Sequence, residues 1–241
     1  MTPWIFQAQQ RAGAWGIGVG SAWQASAAMA SGIQRVLMVN QLVGKANMQV
    51  VAQLKAHYRA VDFICCVDSE VNVRALSAFF ADQGQTLDVL IELGVPGGRC
   101  GCRSVDDALA LAQRVSDLPG LRLRGLELYE GVLHGDDPQP QVEALLQQAA
   151  ALACRMEPLV DGELFSPARA PSGMTWCAIS GWRRQNHAAA VSLFALGCYI
   201  THDRGIYDLA QQELIARDPI ACDLAGDLTS ALELMAMGAI G

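Results

Sequence analysis

The sequence predicts an α/β protein with parallel strands, on three observations. Short apolar runs alternate with longer amphipathic ones through about the first 130 residues. The strand-to-strand spacing of about twenty to thirty-five residues is what βαβ units require. The composition is 52% hydrophobic, 17% charged and only 6% aromatic, rich in Ala, Leu, Val and Gly. That suits strands buried on both faces and argues against disorder.

Residues 15–19 (Trp-Gly-Ile-Gly-Val) read as the first strand, and Ala22–Ala30 as a helix of small residues. Residues 36–39 form the next strand, ending at Asn40. Residues 47–58 are helical, with Val50, Val51 and Leu54 on one face. Residues 63–67 are a buried strand. Ser69 is placed to cap the helix that follows, which turns Val73, Leu76, Phe79 and Phe80 inward. Leu87–Leu93 is a strand running into a glycine-rich turn. Ser104 caps a helix through Val115, with Asp106 and Asp107 in its first turn, where the helix dipole favours acids. Leu121–Tyr129 is the fifth strand, and residues 141–155 are helical.

The rhythm breaks at residues 164–190. Residues 166–173, with Pro167, Pro171 and Gly173, read as loop. Residues 191–200 read as a strand and 206–216 as a helix.

Period alone leaves a doubly wound open sheet and a closed (β/α)8 barrel both open. A dinucleotide site is excluded: Ser21-Ala22-Trp23 does not complete the glycine pattern begun by Gly16, Gly18 and Gly20, and Asn40 stands where an acid would end the second strand. The net charge of −7, with no basic stripe, argues against nucleic acid. The apolar runs are too short and broken to span a bilayer. Met1-Thr2-Pro3-Trp4 has no basic region ahead of an apolar stretch, so a cytoplasmic protein without a secretory signal is expected. Eight cysteines without C-x-x-C spacing read as reduced, mostly buried thiols.

Hydrogen-bonding side chains recur at the C-terminal ends of the strands: Asn40 and Gln41, Asp68, Glu92 with Arg99 beyond it, and Tyr129-Glu130 with His134 nearby. In a barrel these ends line the active-site mouth. Each alone reads first as a satisfied loop residue; their recurrence at one end of four strands points to a site. Arg99 lies between Gly97-Gly98 and Gly101, where backbone approaches a ligand closely. Its guanidinium suits a phenolate, carboxylate or phosphate.

Four segments carry a family resemblance: residues 13–17; residues 36–44; residues 88–94 with Arg99-Cys100-Gly101; and residues 123–131 (Leu-Arg-Gly-Leu-Glu-Leu-Tyr-Glu-Gly). In this order and spacing they resemble the alanine-racemase-like barrel of the pyridoxal-phosphate (PLP) enzymes that include D-threonine aldolases and D-serine dehydratases. Residues 197–203 with Tyr207 resemble the amino-acid deaminase branch of that family.

The resemblance implies a (β/α)8 barrel lacking its first strand over residues 1–190, divergent at 165–190. Residues 191–241 would hold the barrel's end and the start of a second, β-rich domain. It implies PLP as cofactor, with Arg99 near the ring, Tyr129 on the substrate side, Asn40 and Gln41 as the strand-end pair, and Gly197 and Tyr199 where the chain passes the cofactor. The reaction implied is loss of ammonia from a small D-hydroxy amino acid such as D-serine, with retro-aldol cleavage of D-threonine as the alternative.

The family's Schiff-base lysine belongs just ahead of Met1. Of the two lysines present, Lys45 follows a turn and Lys55 sits in a predicted helix, where solvent exposure is expected. An inactive chain is therefore expected, or a non-catalytic fragment that binds PLP weakly or only a partner chain. The family's zinc site and its phosphate-binding segment find no clear match; His202 and Cys222 do not make the zinc spacing. A homodimer or edge-paired oligomer is expected.

Overall fold

The computed structural model describes residues 3–133, 139–162, 164–169 and 190–194. Six helices and seven strands alternate: α1 (Pro3–Arg11), β1 (Ile17–Val19), α2 (Ala22–Ala30), β2 (Arg35–Gln41), α3 (Lys45–His57), β3 (Asp62–Val67), α4 (Glu70–Asp82), β4 (Leu87–Leu93), α5 (Val105–Asp117), β5 (Leu121–Tyr129), α6 (Gln139–Met156), β6 (Leu164–Arg169) and β7 (Ala190–Phe194). The seven strands form one sheet in the order of the chain, and every pair is parallel. A doubly wound sheet reverses its strand order at a switch point; sequential parallel staves are the arrangement of a βα-barrel.

Side-chain alternation sorts the strands into two faces. Val36 and Met38, Phe63 and Cys65, and Val89 and Ile91 join the helices' Ala25, Val51, Val73, Phe80 and Ala112 in the large outer core. Leu37, Ile64, Leu90 and Phe165 form a separate small cluster, with Trp15 and Val39 against it. That cluster fills the inner face. On β4 the inner positions run Asp88, Leu90, Glu92, so the apolar layer has a charged group on either side of it.

Local sequence explains most element ends. Ser104 caps α5 by accepting the Asp107 N–H at 3.1 Å. Ser69 occupies the N-cap of α4 with extended backbone but makes no side-chain cap bond, so its expected capping is positional only.

Residues 166–169, read as loop from sequence, belong to β6. The strand pairs with β5 through Gly125↔Phe165, Leu128↔Ala168 and Tyr129↔Arg169, and with β7 from Leu164↔Ala190 to Ala168↔Phe194. The β5 register passes over Ser166 and Pro167, which spares the proline a bond it cannot donate. The helix α1, missed in the sequence, buries only Phe6, too little to give a periodic signal. The predicted helix at 206–216 lies outside the described residues, as do residues 195–200 of the last predicted strand. Among the described residues no helix is long and apolar enough to cross a membrane.

Candidate active site at the strand C-termini

Because all strands run parallel, their C-terminal ends gather at one mouth. Asn40, Gln41, Asp68, Glu92, Arg99 and Tyr129 all lie there. The Asn40 amide donates to Gly20 O at 3.0 Å, tying the ends of β1 and β2. Gln41 Nε2 donates to Glu92 Oε2 at 2.5 Å, and the Cys100 thiol donates to Glu92 Oε1 at 2.7 Å. Asp68 Oδ2 accepts the Gly101 N–H at 3.0 Å. The Arg99 guanidinium lies over the Tyr129 ring, 4.8 Å from its centroid, the spacing of a cation–π contact.

The loop presenting Arg99 needs its glycines. Gly101 has φ +90, and a Cβ there would collide with the backbone nitrogen of Gly94. A Cβ on Gly94 would in turn collide with the Cys100 carbonyl oxygen. Strand end and loop thus pack backbone to backbone, which brings Cys100 down onto Glu92.

Beneath this rim, Cys66, Glu92 and Glu127 each direct one donor atom into a group spanning no more than 4.8 Å, all buried. Glu92 and Glu127 are register partners on β4 and β5. Sequence reasoning singled out Glu92 but missed Cys66, Cys100 and Glu127. The only sequence signal was the Leu-Glu-Leu alternation at the end of β5, matching Ile-Glu-Leu on β4. Thiolate and carboxylate are donor types zinc accepts, yet both Glu92 oxygens already accept hydrogen bonds from Gln41 and Cys100. A cation would have to displace them.

The opposite end of the lumen is also charged. Asp88, 3% exposed, accepts from Arg122 Nε and Nη2 at 2.7 Å each and from Arg124 Nη1 at 2.9 Å. Arg124 also lies over the Phe165 ring at 4.5 Å.

Lys55 belongs to this end. Loss of water on burial holds its ammonium below the ordinary 10.5, while Asp88 pulls the other way. The expectation of a solvent-exposed Lys55 is thereby corrected: it is half-buried, with Asp88, Arg122 and Asp62 close enough to act on its charge. Lys45 is exposed at the start of α3. It lines an open groove of about 1410 Å³ between α3 and α4, which also reaches Gln41, Asp68, Arg99 and Cys100. His134, Gly197, Tyr199, His202 and Cys222 lie outside the described residues.

Of the described cysteines, Cys65, Cys66 and Cys102 are buried, Cys100 is half-buried and Cys154 is exposed, and none of the five is in a disulfide. Burial pushes the Cys65 and Cys102 thiols up to about 12.

Parallel staves in chain order, an apolar inner layer and a polar mouth holding a stacked arginine define a βα-barrel with that mouth at the strand C-termini. The chain belongs to the alanine racemase N-terminal domain family, which matches residues 4–184. A D-threonine aldolase from an Arthrobacter species is 34% identical over 151 residues, 63% of this chain and 39% of its own length. The D-threo-3-hydroxyaspartate dehydratase of Delftia sp. strain HT23 is 31% identical over 148 residues, 61% of this chain and 38% of its own. Among solved structures, the D-threonine aldolase of Filomicrobium marinum superposes with a TM-score of 0.64 at 26% identity, covering 80% of this chain and 50% of that one. The chain thus spans about two-fifths of the length of the curated relatives it matches and half of the solved one.

Proposed function

We propose that this chain forms the barrel wall of a PLP-dependent lyase acting on small D-3-hydroxy amino acids. The observation that carries the reading is Arg99 stacked on Tyr129 at the mouth of a barrel whose relatives include a D-threonine aldolase and a D-threo-3-hydroxyaspartate dehydratase. The described residues fit the ring end of the cofactor. Arg99 offers a cation, exposed toward the mouth, for the phenolate oxygen, and Tyr129 offers a flat face and a hydroxyl. When bound, PLP supplies an electron sink for charge developing at the substrate's α-carbon.

This chain's own residues bind and orient. Arg99 neutralises an oxyanion, Tyr129 bounds the substrate side, and Asn40 and Gln41 fix the ends of β1 and β2 beside them. Gly197 and Tyr199 are assigned to the same site by family resemblance alone. Aldolase and dehydratase relatives match comparable lengths of this chain, so the barrel wall sets the substrate class and not the bond broken. By the same resemblance we assign residues 1–190 to the barrel domain, and 191–241 to its end and the start of a second domain.

Neither lysine stands inside the mouth: Lys45 is on the outer rim and Lys55 is at the opposite end of the strands. The chain alone is therefore expected to bind PLP weakly and not to turn over. Borohydride reduction of the chain with PLP, followed by peptide mapping, is the test, run beside assays with D-threonine and D-serine. The expected result is no pyridoxyl group on either lysine and no product. Stoichiometric labelling of Lys45, lost with activity in Lys45→Ala, would overturn it.

A further inference from the structure

Residues 94–101 form a loop zipped together at its base. The Gly94 N–H donates to Cys102 O at 2.9 Å and the Cys102 N–H to Glu92 O at 2.7 Å. Inside the loop the Arg103 guanidinium reaches the carbonyls of Val95, Gly98 and Cys100 at 2.7, 2.9 and 3.2 Å. These bonds fix the loop's shape and tie its base to the end of β4. Two carboxylates add side-chain anchors next to Arg99. Asp68 on the β3 side accepts from Gly101. Glu92, 2% exposed at the end of β4, accepts from Cys100. Arg99 is the residue next to Cys100, and it is the one laid over Tyr129.

We propose that Glu92 is a positioning residue: held by Gln41 from β2 and holding Cys100 from below, it sets where Arg99 stands above Tyr129. The proposal rests on the reading of Arg99 as the partner of a PLP ring. The carboxylate suits the task because its two oxygens face two different donors, so its head cannot turn without losing one. A thiol is a weak donor, so the link to Cys100 depends on an acceptor oxygen held in place, which the bond from Gln41 provides. A cation displaced by about 1 Å loses much of its value in an oriented site.

The test titrates PLP into the 241-residue chain, with tryptophan fluorescence as readout, and follows hydrogen exchange of the amides of residues 94–103. Glu92→Gln keeps the volume and one acceptor oxygen, but it turns an amide NH2 toward one of the two donors. About tenfold weaker binding is expected, with faster exchange in the loop. Combining Glu92→Gln with Gln41→Glu restores both hydrogen bonds, one with its polarity reversed, and binding should return to within about threefold of the original. A merely structural Glu92 would give the sum of two losses instead.

Cys100→Ala breaks the same link from the half-buried side and should act in the same direction, even if Glu92→Gln fails to fold. Arg99→Ala separates the two readings. Unchanged binding in Arg99→Ala would sink the cofactor reading and the positioning role with it. Weakened binding in Arg99→Ala, with Glu92→Gln and Cys100→Ala binding and exchanging like the original chain, would overturn the positioning role alone.

Discussion

Asp88 carries two guanidinium groups on one carboxylate with almost no water, its side chain 4% exposed beside Arg124 at 15%. Removing Asp88 leaves Arg124 charged and largely dry, while Arg122, 44% exposed, keeps its water. Asp88→Ala is therefore expected to lose about 2–3 kcal/mol of stability, less than a fully buried pair would, read as a lowered urea midpoint. The half-buried Lys55 nearby gives a pH signature. Its pKa in the folded chain lies below 10.5 because burial strips its water. Just below that pH the unfolded chain holds more protons than the folded one, so this group makes stability rise as pH increases toward 10.5. Lys55→Met should flatten that rise and increase stability at neutral pH, as urea melts at pH 7, pH 9 and pH 10.5 would show. An unchanged slope would refute the burial. Single residues at this end were illegible in the sequence. Asp88 and Lys55 are far apart along the chain and meet only once β4 and α3 are packed. The mouth positions of Tyr129, at the end of β5, and Arg99, in the loop after β4, could be expected from the strand pattern.

Among the elements, β5 is the one whose chemistry most constrains its neighbours. Gly125 has φ +142, and a Cβ there would run into the Phe165 carbonyl oxygen. The β4 register also shifts at this point, Val89 facing Leu123 and Leu90 facing Gly125, so one residue, Arg124, is bulged out of the ladder. Gly125→Ala should force β5 and β6 apart, with a loss of about 3 kcal/mol or more. Leu90→Ala, a neighbouring lumen truncation, separates backbone collision from simple loss of packing, expected at about 2–5 kcal/mol without a change of register. Nuclear Overhauser contacts between β5 and β6 should disappear only in Gly125→Ala. The strands β2 to β5 were readable because each is an apolar run followed by an amphipathic helix. The strand β6 was not: Ser166 and Pro167 carry a loop's composition, and only pairing to β7, with β5 engaged on either side of them, makes a strand of them. The thiols follow the same logic. Cys154 is exposed on α6, whereas Cys65, Cys66 and Cys102 lie in or against the sheet. At pH 8 a disulfide reagent should label Cys154 in the folded chain and those three only in denaturant, checked by peptide mapping.

For the whole molecule, sequential parallel order does two things at once. It sends every C-terminal strand end to one mouth, which is why the polar residues at the strand ends could be expected to gather there. It also leaves the outermost staves in the order, β1 and β7, with one strand neighbour each among the described residues. What the sequence could not give is depth. Whether Glu127 stands level with Glu92 depends on the β4–β5 register, which depends on the bulge at Arg124, and no single-strand pattern encodes that. The same architecture sets the expected behaviour in solution. β1 is three residues long and β7 five; among the described residues neither has a strand on its outer side, and open edges recruit other strands. Barrels avoid this by closing. The chain by itself is therefore expected to associate through these edges. Light scattering coupled to size exclusion should show a mass that grows with concentration, and a proline at Gly18, in the middle of β1, should shift it toward the monomer by removing an edge donor. A chain that stays monomeric across the accessible concentration range, with one sharp unfolding transition, would mean that both edges are covered by the chain's own remaining residues.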